Sequence, residues 1–521
     1  MPGKSQYLIK KERAELLKAV IAYDLGTGGV KASLYDENAT TLAKVFVEYN
    51  TYYPSAEMHE QSPLHWWQGV VKSTNLLLSE SGYCGADVAC IAISGHSLVA
   101  VPMDVQGNTL LEQVPIWSDT RAEIEVDEFF EKIDSKRWYM TTGNGFPAPC
   151  YSLFKLMWMR KHQPEIFARI YKVLGSKDYI NFKLTGNYFT DYSYASGTGA
   201  YDLNKAEMSE EFLNAAGLQA EIFPTLVDSS HMIGNLTIQA AEELGLSTDT
   251  KVACGGVDNA CMALGAVGAD TGNFYTSLGS SSWIAVNSEQ PILDPIKKPY
   301  VFAHIAPEMF TSAFSIFSGG SSLRWTRDNL CRDLDKENAY FDMTDDASKV
   351  PIGSRGVLFN PSLAGGTSQD KSPHIRGAFL NLSLGTTREE MIRATMEGIS
   401  LNLKMSLLNL EQQVSLSKEM LFCGGGSKSP FWMQMFADVF DKTVLKTNID
   451  QDAASVGAAA IAFVSIGLWA DYEKIPSLHK IENKLEPISE NVESYSKIFP
   501  LFIHANAMIS ELGDYINQYN K

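Results

Sequence analysis

Cys254-Gly255-Gly256-Val257-Asp258-Asn259-Ala260-Cys261-Met262-Ala263-Leu264-Gly265-Ala266 is the stretch whose reading decides the fold. It follows a short strand around Val252 and reads as a strand end, a glycine turn, one acid and a small-residue helix. Gly255 and Gly256 let the backbone turn tightly and let another group come close. Asp258 then falls at the helix N-terminus, where the amide dipoles favour a carboxylate. Ala260, Ala263, Gly265 and Ala266 give that helix a slim face, beside which something large is expected to pack. Alone, the stretch also fits a capped core helix. Glycine-rich strand turns on both sides of it in the sequence give it a second meaning.

Upstream, the apolar run Ala19 to Tyr23 suits a buried strand. It ends in Asp24-Leu25-Gly26-Thr27-Gly28-Gly29-Val30-Lys31, and Ala32 to Asp36 and Leu42 to Tyr49 read as two more strands. Downstream, Phe274 to Leu278, Gly279-Ser280-Ser281 and Trp283 to Val286 repeat strand, glycine–hydroxyl turn, strand. Leu25-Gly26-Thr27 laid on Leu278-Gly279-Ser280 is a weak internal repeat, which predicts two related lobes rather than a solenoid. Further turns lie at Ser318-Gly319-Gly320 and at Gly424-Gly425-Gly426-Ser427, the latter after the strand Leu421 to Cys423. Long helices are expected over Arg388 to Leu410 and Ala453 to Ile466, and a helical tail from about Glu486.

Two common phosphate loops do not fit. In a dinucleotide fingerprint a third glycine would stand where Lys31 stands, and a helix rather than a strand would follow. Gly3-Lys4-Ser5 lacks the upstream glycine and strand of a P-loop, and Met1 to Leu17 reads instead as a charged helical extension. What stays open at Asp24 to Lys31 is a plain glycine hairpin, or one whose amides and hydroxyl meet phosphates while Asp24 faces a metal.

The 521 residues are too many for one ordinary core. The net charge of −18 argues against nucleic acid or an anionic membrane as partner. The seven cysteines show no CxxC spacing, which points to reduced thiols and no zinc site. The apolar run at Ala19 to Tyr23 is too short for a signal peptide, and no stretch is long enough to span a bilayer, so the expected location is cytoplasmic.

Four glycine turns behind buried strands, at Gly26, Gly256, Gly279 and Gly424, can present amides to phosphate or leave room for a flat ring. Asp24 and Asp258 then divide two roles: one carboxylate holds Mg²⁺ through water, the other accepts a proton from an attacking hydroxyl. Lys31 is a candidate phosphate counter-charge. Glu60 and Gln61, on a loop before the helix that starts at Ser62-Pro63, can bind hydroxyls.

The ordered set of motifs resembles the FGGY carbohydrate kinases. The matches begin with Asp24-Leu25-Gly26-Thr27 and Lys31, Glu60-Gln61 with Trp66, and Trp117-Ser118-Asp119 with Arg121. They continue through Lys155, Lys177-Asp178-Tyr179, Thr190-Asp191, Gly255-Gly256 with Asp258-Asn259, Gly319-Gly320 and Gly424 to Ser427. The nearest branch is the xylulokinase-like one. The resemblance implies an α/β, two-lobed actin-like ATPase (ribonuclease H-like) fold with an inter-lobe active-site cleft. Residues 1–252 would form the sugar-binding domain and 253–521 the nucleotide-binding domain.

It further implies ATP- and Mg²⁺-dependent phosphorylation of a sugar or polyol, D-xylulose or another ketopentose first, with another ketose, an aldonate or an alditol as alternatives. Asp258 would be the catalytic base and Asp24 the metal-side acid. Thr27, Gly28, Lys31, Gly279, Ser280, Gly319, Gly424, Gly425 and Ser427 would surround the nucleotide. Glu60, Gln61, His96, Ser97, Asp119 and Asn259 would face the sugar. Homodimers are common in such families. One run departs: xylulokinases carry Gln-Met-His-Gly where this chain has His96-Ser97-Leu98-Val99, so the Met-His pair falls on Ser97-Leu98 and His96 stands two positions early. An actin-like ATPase without a small acceptor is the rival class, and a degenerate binding protein a third.

Overall fold

The structure is a computed structural model describing residues 19–335 and 337–519. The extension read at Met1 to Leu17 lies outside the described residues. The chain divides into two compact units. The first runs to Gly268 and takes back Phe302–Met309 and Asp452–Leu478; the second holds Ala269–Val301, Phe310–Gln451 and the chain from His479 on.

The first unit is built on strands β1 (Ala19–Leu25), β2 (Gly29–Tyr35) and β3 (Thr41–Glu48), helix α1 (Pro63–Ser81) and strand β4 (Val88–Gly95). Helix α2 (Ser176–Thr185), strands β5 (Met232–Asn235), β6 (Lys251–Ala253) and β7 (Gly256–Val257), and helix α3 (Asp258–Val267) follow. The sheet order is β5-β6-β4-β1-β2-β3, with β7 pairing the end of β4. β1 lies parallel to β4 and antiparallel to β2. Both central strands are continuous apolar runs because both of their faces are covered. Along β1 only Asp24 escapes full burial. On one side Trp66, Val70 and Leu77 of α1 join Ile21, Tyr23 and Ile91 in the core. Each such side chain contributes roughly 1.5–3 kcal/mol by its burial. α1 starts with Pro63 at its first turn, as the sequence predicts, and stops at Gly82 in the left-handed conformation, φ 71°.

The second unit repeats the plan with β8 (Phe274–Leu278), β9 (Ser282–Ser288), β10 (Phe310–Ile316), helices α4 (Gly319–Leu330) and α5 (Arg388–Glu411), and β11 (Glu419–Cys423), β12 (Thr443–Thr447) and β13 (Ile481–Leu485). Six of its seven strands run β10-β9-β8-β11-β12-β13. Reading each sheet from the hairpin edge, the pairings are antiparallel, antiparallel, parallel, parallel, antiparallel in both units. The repeat seen in the two hairpin turns therefore extends through the whole sheet.

Helix α6 (Ala453–Ser465) returns to the first unit, and α7 (Ser489–Tyr519) closes the second. The slim face of α3 meets α6, not a bulky group. A Cβ on Gly265 would stand 1.9 Å from the carbonyl oxygen of Ala453, and one on Gly457 2.0 Å from that of Cys261. Two small-residue helices thus approach backbone to backbone. The boundary expected at residues 252/253 falls inside the first unit, within strand β6. Gly256 and Val257 bond to Ser94 and Gly95 of β4, which keeps the Asp258 helix with the strands that precede it.

Candidate active site

Ser94 of β4 has Asp24 in register on one side and Gly256 on the other. Its hydroxyl donates to Asp24 Oδ1 at 3.2 Å. Two residues beyond Gly256, Asp258 opens α3, so the two expected acids sit at the same end of the same sheet. Burial raises Asp24 above the usual carboxylate range, against the opposing pull of the Lys31 ammonium and the Ser94 hydroxyl. Burial likewise pushes Asp258 up to about 7, and the charge of Asp24 adds to it. The backbone N–H of Asn259 donates to Asp258 Oδ1 at 2.8 Å, its side-chain amide to the same oxygen at 2.9 Å, and both donors pull the other way. A carboxylate poised near neutral pH is suited to general-base work.

A buried network sets the position of α3. The Lys177 ammonium, fully buried, lies 2.6 Å from Asp178 Oδ1 and 3.0 Å from Asp191 Oδ1. Burial opposes its charge, but the two acids hold it well above the usual lysine range. Asp191 accepts from the Ser193 hydroxyl, whose oxygen accepts the Val257 N–H at 3.0 Å, one residue before Asp258. Gly255, at φ 75°, packs against β4 where a Cβ would stand 2.2 Å from the Ile93 carbonyl oxygen. No other residue type fits that approach.

The first hairpin turn is braced from below. Gln61 Nε2 donates to the Thr27 carbonyl at 2.6 Å and to Thr51 Oγ1 at 2.7 Å, while its Oε1 accepts from Trp66 Nε1 at 2.9 Å. Trp117 Nε1 donates to Thr27 Oγ1 at 2.9 Å. Arg121 bridges Glu60 and Asp119, and Asp119 also accepts the His59 N–H. Gln61 and Asp119 are completely buried. In this structure their polar groups engage the turn and its loop. Gly28 stands exposed at the tip of the turn. Lys31, opposite Asp24 on β2, forms an ion pair with Asp452 at 3.4 Å.

The departing run has its own geometry. His96 is buried; its Nδ1 donates to the Leu25 carbonyl at 3.0 Å, its Nε2 has no partner, and its ring meets Trp66 edge-on. Burial draws the imidazole down to about 4, so it is neutral at physiological pH. Ser97 is buried beside it, and Leu98 adopts φ 63°, a strained conformation for leucine. The Lys155 ammonium holds the Leu98 carbonyl at 2.8 Å and keeps that strain in place.

In the second unit, Gly279, Ser280, Gly320, Gly425 and Gly426 line a pocket of about 710 Å³ together with Tyr340, Phe341 and Phe431. The glycine turns interlock. Gly320 N donates to the Gly279 carbonyl at 2.8 Å, and a Cβ on Gly320 would stand 2.3 Å from that oxygen. Gly319 packs against Ser282 in the same way. Gly424 N and Ser427 Oγ both donate to Asp450, each at 2.7 Å. Gly319, Gly424 and Ser427 thus shape the pocket from behind, while Gly279, Ser280 and Gly425 line it. Tyr340, Phe341 and Asp450 lie away in sequence from the glycine motifs that signal the site, so the sequence alone does not mark them. Among the described residues no cluster of three or more His, Cys, Asp or Glu is arranged to hold a metal. No helix there is long and apolar enough to cross a membrane.

Two copies of one sheet topology, each turned by a glycine hairpin, define the two-domain architecture of the actin-like ATPase class. Residues 19–265 match the N-terminal domain, and residues 274–466 the C-terminal domain, of the FGGY family of carbohydrate kinases. The chain is 30% identical over 511 residues to the xylulose kinase of Bacillus subtilis, covering 97% of this chain and 100% of that one. Solved structures of a ligand-bound xylulose kinase and of a gluconate kinase, both from Lactobacillus acidophilus, superpose with TM-scores of 0.89 and 0.88. Each is 26% identical and covers 96% of this chain and 100% of its own. The chain belongs to the FGGY family of carbohydrate kinases. It is a sugar kinase that uses ATP.

Proposed function

We propose that the protein phosphorylates a hydroxyl of a ketopentose, D-xylulose first, with Asp258 as general base. The observation that carries this reading is the placement of Asp258. It opens α3 with its carboxyl near pH 7, beside Asp24 and held by two donors from Asn259. The first unit serves the sugar and the second the nucleotide, in keeping with the acids of the one and the glycine-lined aromatic pocket of the other. The Asp258-Asn259 pair and the likeness to proteins named xylulose kinase favour a ketopentose.

Magnesium keeps several waters and takes few protein ligands, so the donor set here, a single carboxylate at Asp24 with Asp258 nearby, fits a nucleotide-borne Mg²⁺ held through water. Bound there, the ion neutralises phosphate charge. The chain's own part is to orient the acceptor, with His96 Nε2 and the Asn259 amide as candidate sugar contacts, and to take the proton from the attacking hydroxyl onto Asp258.

An aldonate is the second reading. The run His96-Ser97-Leu98-Val99 departs from the xylulokinase pattern, and a gluconate kinase superposes as well as a xylulose kinase does. ADP release with ATP and Mg²⁺ across ketopentoses, ketohexoses, aldonates and alditols tests both. Release dependent on D-xylulose supports the first reading and dependence on gluconate the second. ADP release indifferent to every acceptor would overturn both.

A further inference from the structure

The pocket of the second unit offers a flat ligand three aromatic rings and few fixed donors. Tyr340 and Phe341 stand on the helix Ala339–Ser348, and Phe431 lines the same space. Arg327 lies 4.9 Å over the Tyr340 ring and Arg393 5.3 Å over the Phe431 ring, which holds both rings in place. Positions 340, 341, 344, 345 and 348 share one face of the helix, since side chains three and four apart are neighbours. The hydroxyls of Thr344 and Ser348 on that face have spent their protons. Thr344 Oγ1 donates to the Tyr340 carbonyl and Ser348 Oγ to the Asp345 carbonyl, each at 2.7 Å. Both oxygens are left to accept, as are the carboxylates of Asp345 and of Glu337 just before the helix. Trp432 Nε1, also on the lining, is turned to Ser400 Oγ at 3.2 Å. Ser429 Oγ accepts the Trp432 N–H at 3.2 Å and keeps a hydroxyl that can turn either way.

We propose that this pocket does not distinguish one purine from another, and that the enzyme takes GTP and ITP as phosphoryl donors beside ATP. The inference rests on the reading of the second unit's pocket as the nucleotide's. Stacking holds any base, because every base has a π-face. The acceptors suit each of the three purines: adenine brings its N6 amino group, guanine its N1–H and N2 amino group, hypoxanthine its N1–H. A site rejects the wrong ligand by roughly 10⁴–10⁵ only when a buried polar group is left unpaired. Here Glu337, Asp345 and Ser348 are exposed, so water satisfies whichever of them a base leaves free. The lining cations Arg324 and Lys428 are exposed as well, and long flexible side chains of that kind discriminate little. A volume of about 710 Å³ leaves room for the extra amino group of guanine. With each donor the γ-phosphorus leaves its bridging oxygen for the sugar oxygen, the hydroxyl proton passes to Asp258, and the matching diphosphate departs.

Displacement of a fluorescent, ribose-labelled ADP from the full chain, with Mg²⁺ present, tests this without a sugar. The competitors are ADP, GDP, IDP and UDP, run on the wild type and on Phe341→Ala. GDP and IDP should bind within about tenfold of ADP. UDP, with a single ring to stack, should bind about tenfold more weakly. Phe341 is 65% exposed, so its truncation does not burden the fold, and the variant should lose about tenfold in affinity for all three purines alike. Turnover on the accepted sugar should follow, with kcat/KM for GTP and ITP within about tenfold of that for ATP. GDP and IDP weaker than ADP by more than that, with ADP still sensitive to Phe341→Ala, would overturn the proposal and leave the nucleotide in this pocket. ADP binding indifferent to Phe341→Ala would take the base out of the pocket and overturn the reading beneath the proposal. UDP bound as tightly as ADP would overturn the stacking argument. GDP bound as tightly as ADP without turnover of GTP would overturn the donor activity.

Discussion

The side-chain amide of Asn259 donates to Asp258 Oδ1 at 2.9 Å, and the backbone N–H of the same residue reaches the same oxygen at 2.8 Å. Two donors on one oxygen fix the rotamer of the carboxylate and hold its proton affinity below what burial alone would set. Asn259→Ala removes one donor. The acid limb of the kcat/KM profile should move to higher pH, with a lower plateau. An acid limb that stays in place would show that Asn259 acts on the sugar alone.

Asp258 also links pH to stability. Its folded carboxyl titrates near 7, against about 3.9 in an unfolded chain, so the folded state holds the proton more tightly. That contribution is fully present below pH 4 and is lost as pH rises through 7. Asp258→Asn should therefore match the wild type in melting temperature near pH 4 and gain on it up to pH 7. Above that the difference should level off at a few kcal/mol. A pH-independent difference would contradict the raised pKa.

Lys177 carries the network behind Asp258. Lys177→Met leaves Asp178 and Asp191 buried without their cation. Breaking one side of a buried charge cluster costs about 3–5 kcal/mol, which should appear as a large drop in melting temperature. A drop within the range of surface substitutions would mean that the cluster is wet.

Asp450 holds the Gly424 N–H and the Ser427 hydroxyl. Asp450→Ala should raise KM for ATP about tenfold and leave KM for the sugar alone, since hydrogen bonds to a charged, half-buried acceptor contribute about 1.5–3 kcal/mol. Equal effects on both substrates would argue for general unfolding of the second unit.

Much of this was legible from residues. The apolar runs Ala19 to Tyr23 in β1, Val88 to Ile93 in β4 and Met420 to Cys423 in β11 are there because covered sheets demand them. The match of Leu25-Gly26-Thr27 to Leu278-Gly279-Ser280 announced two sheets of one topology. What the sequence hid was set by chain return and by bond partners. α6 reaches the first unit after nearly two hundred intervening residues, and only glycine-to-carbonyl contacts with α3 reveal why Gly265 and Gly457 must be glycine. A sequence likewise does not display the Thr27 carbonyl, the Trp66 indole and the Arg121 guanidinium that engage the polar pair Glu60-Gln61.

The most direct test of the account is turnover of Asp258→Asn with ATP, Mg²⁺ and the accepted sugar, measured beside nucleotide binding by the same variant. A positioned general base contributes roughly 10²–10⁴-fold, so turnover should fall by that factor while nucleotide affinity stays at the wild-type value. Turnover within threefold of wild type would contradict the assignment of Asp258 as the base.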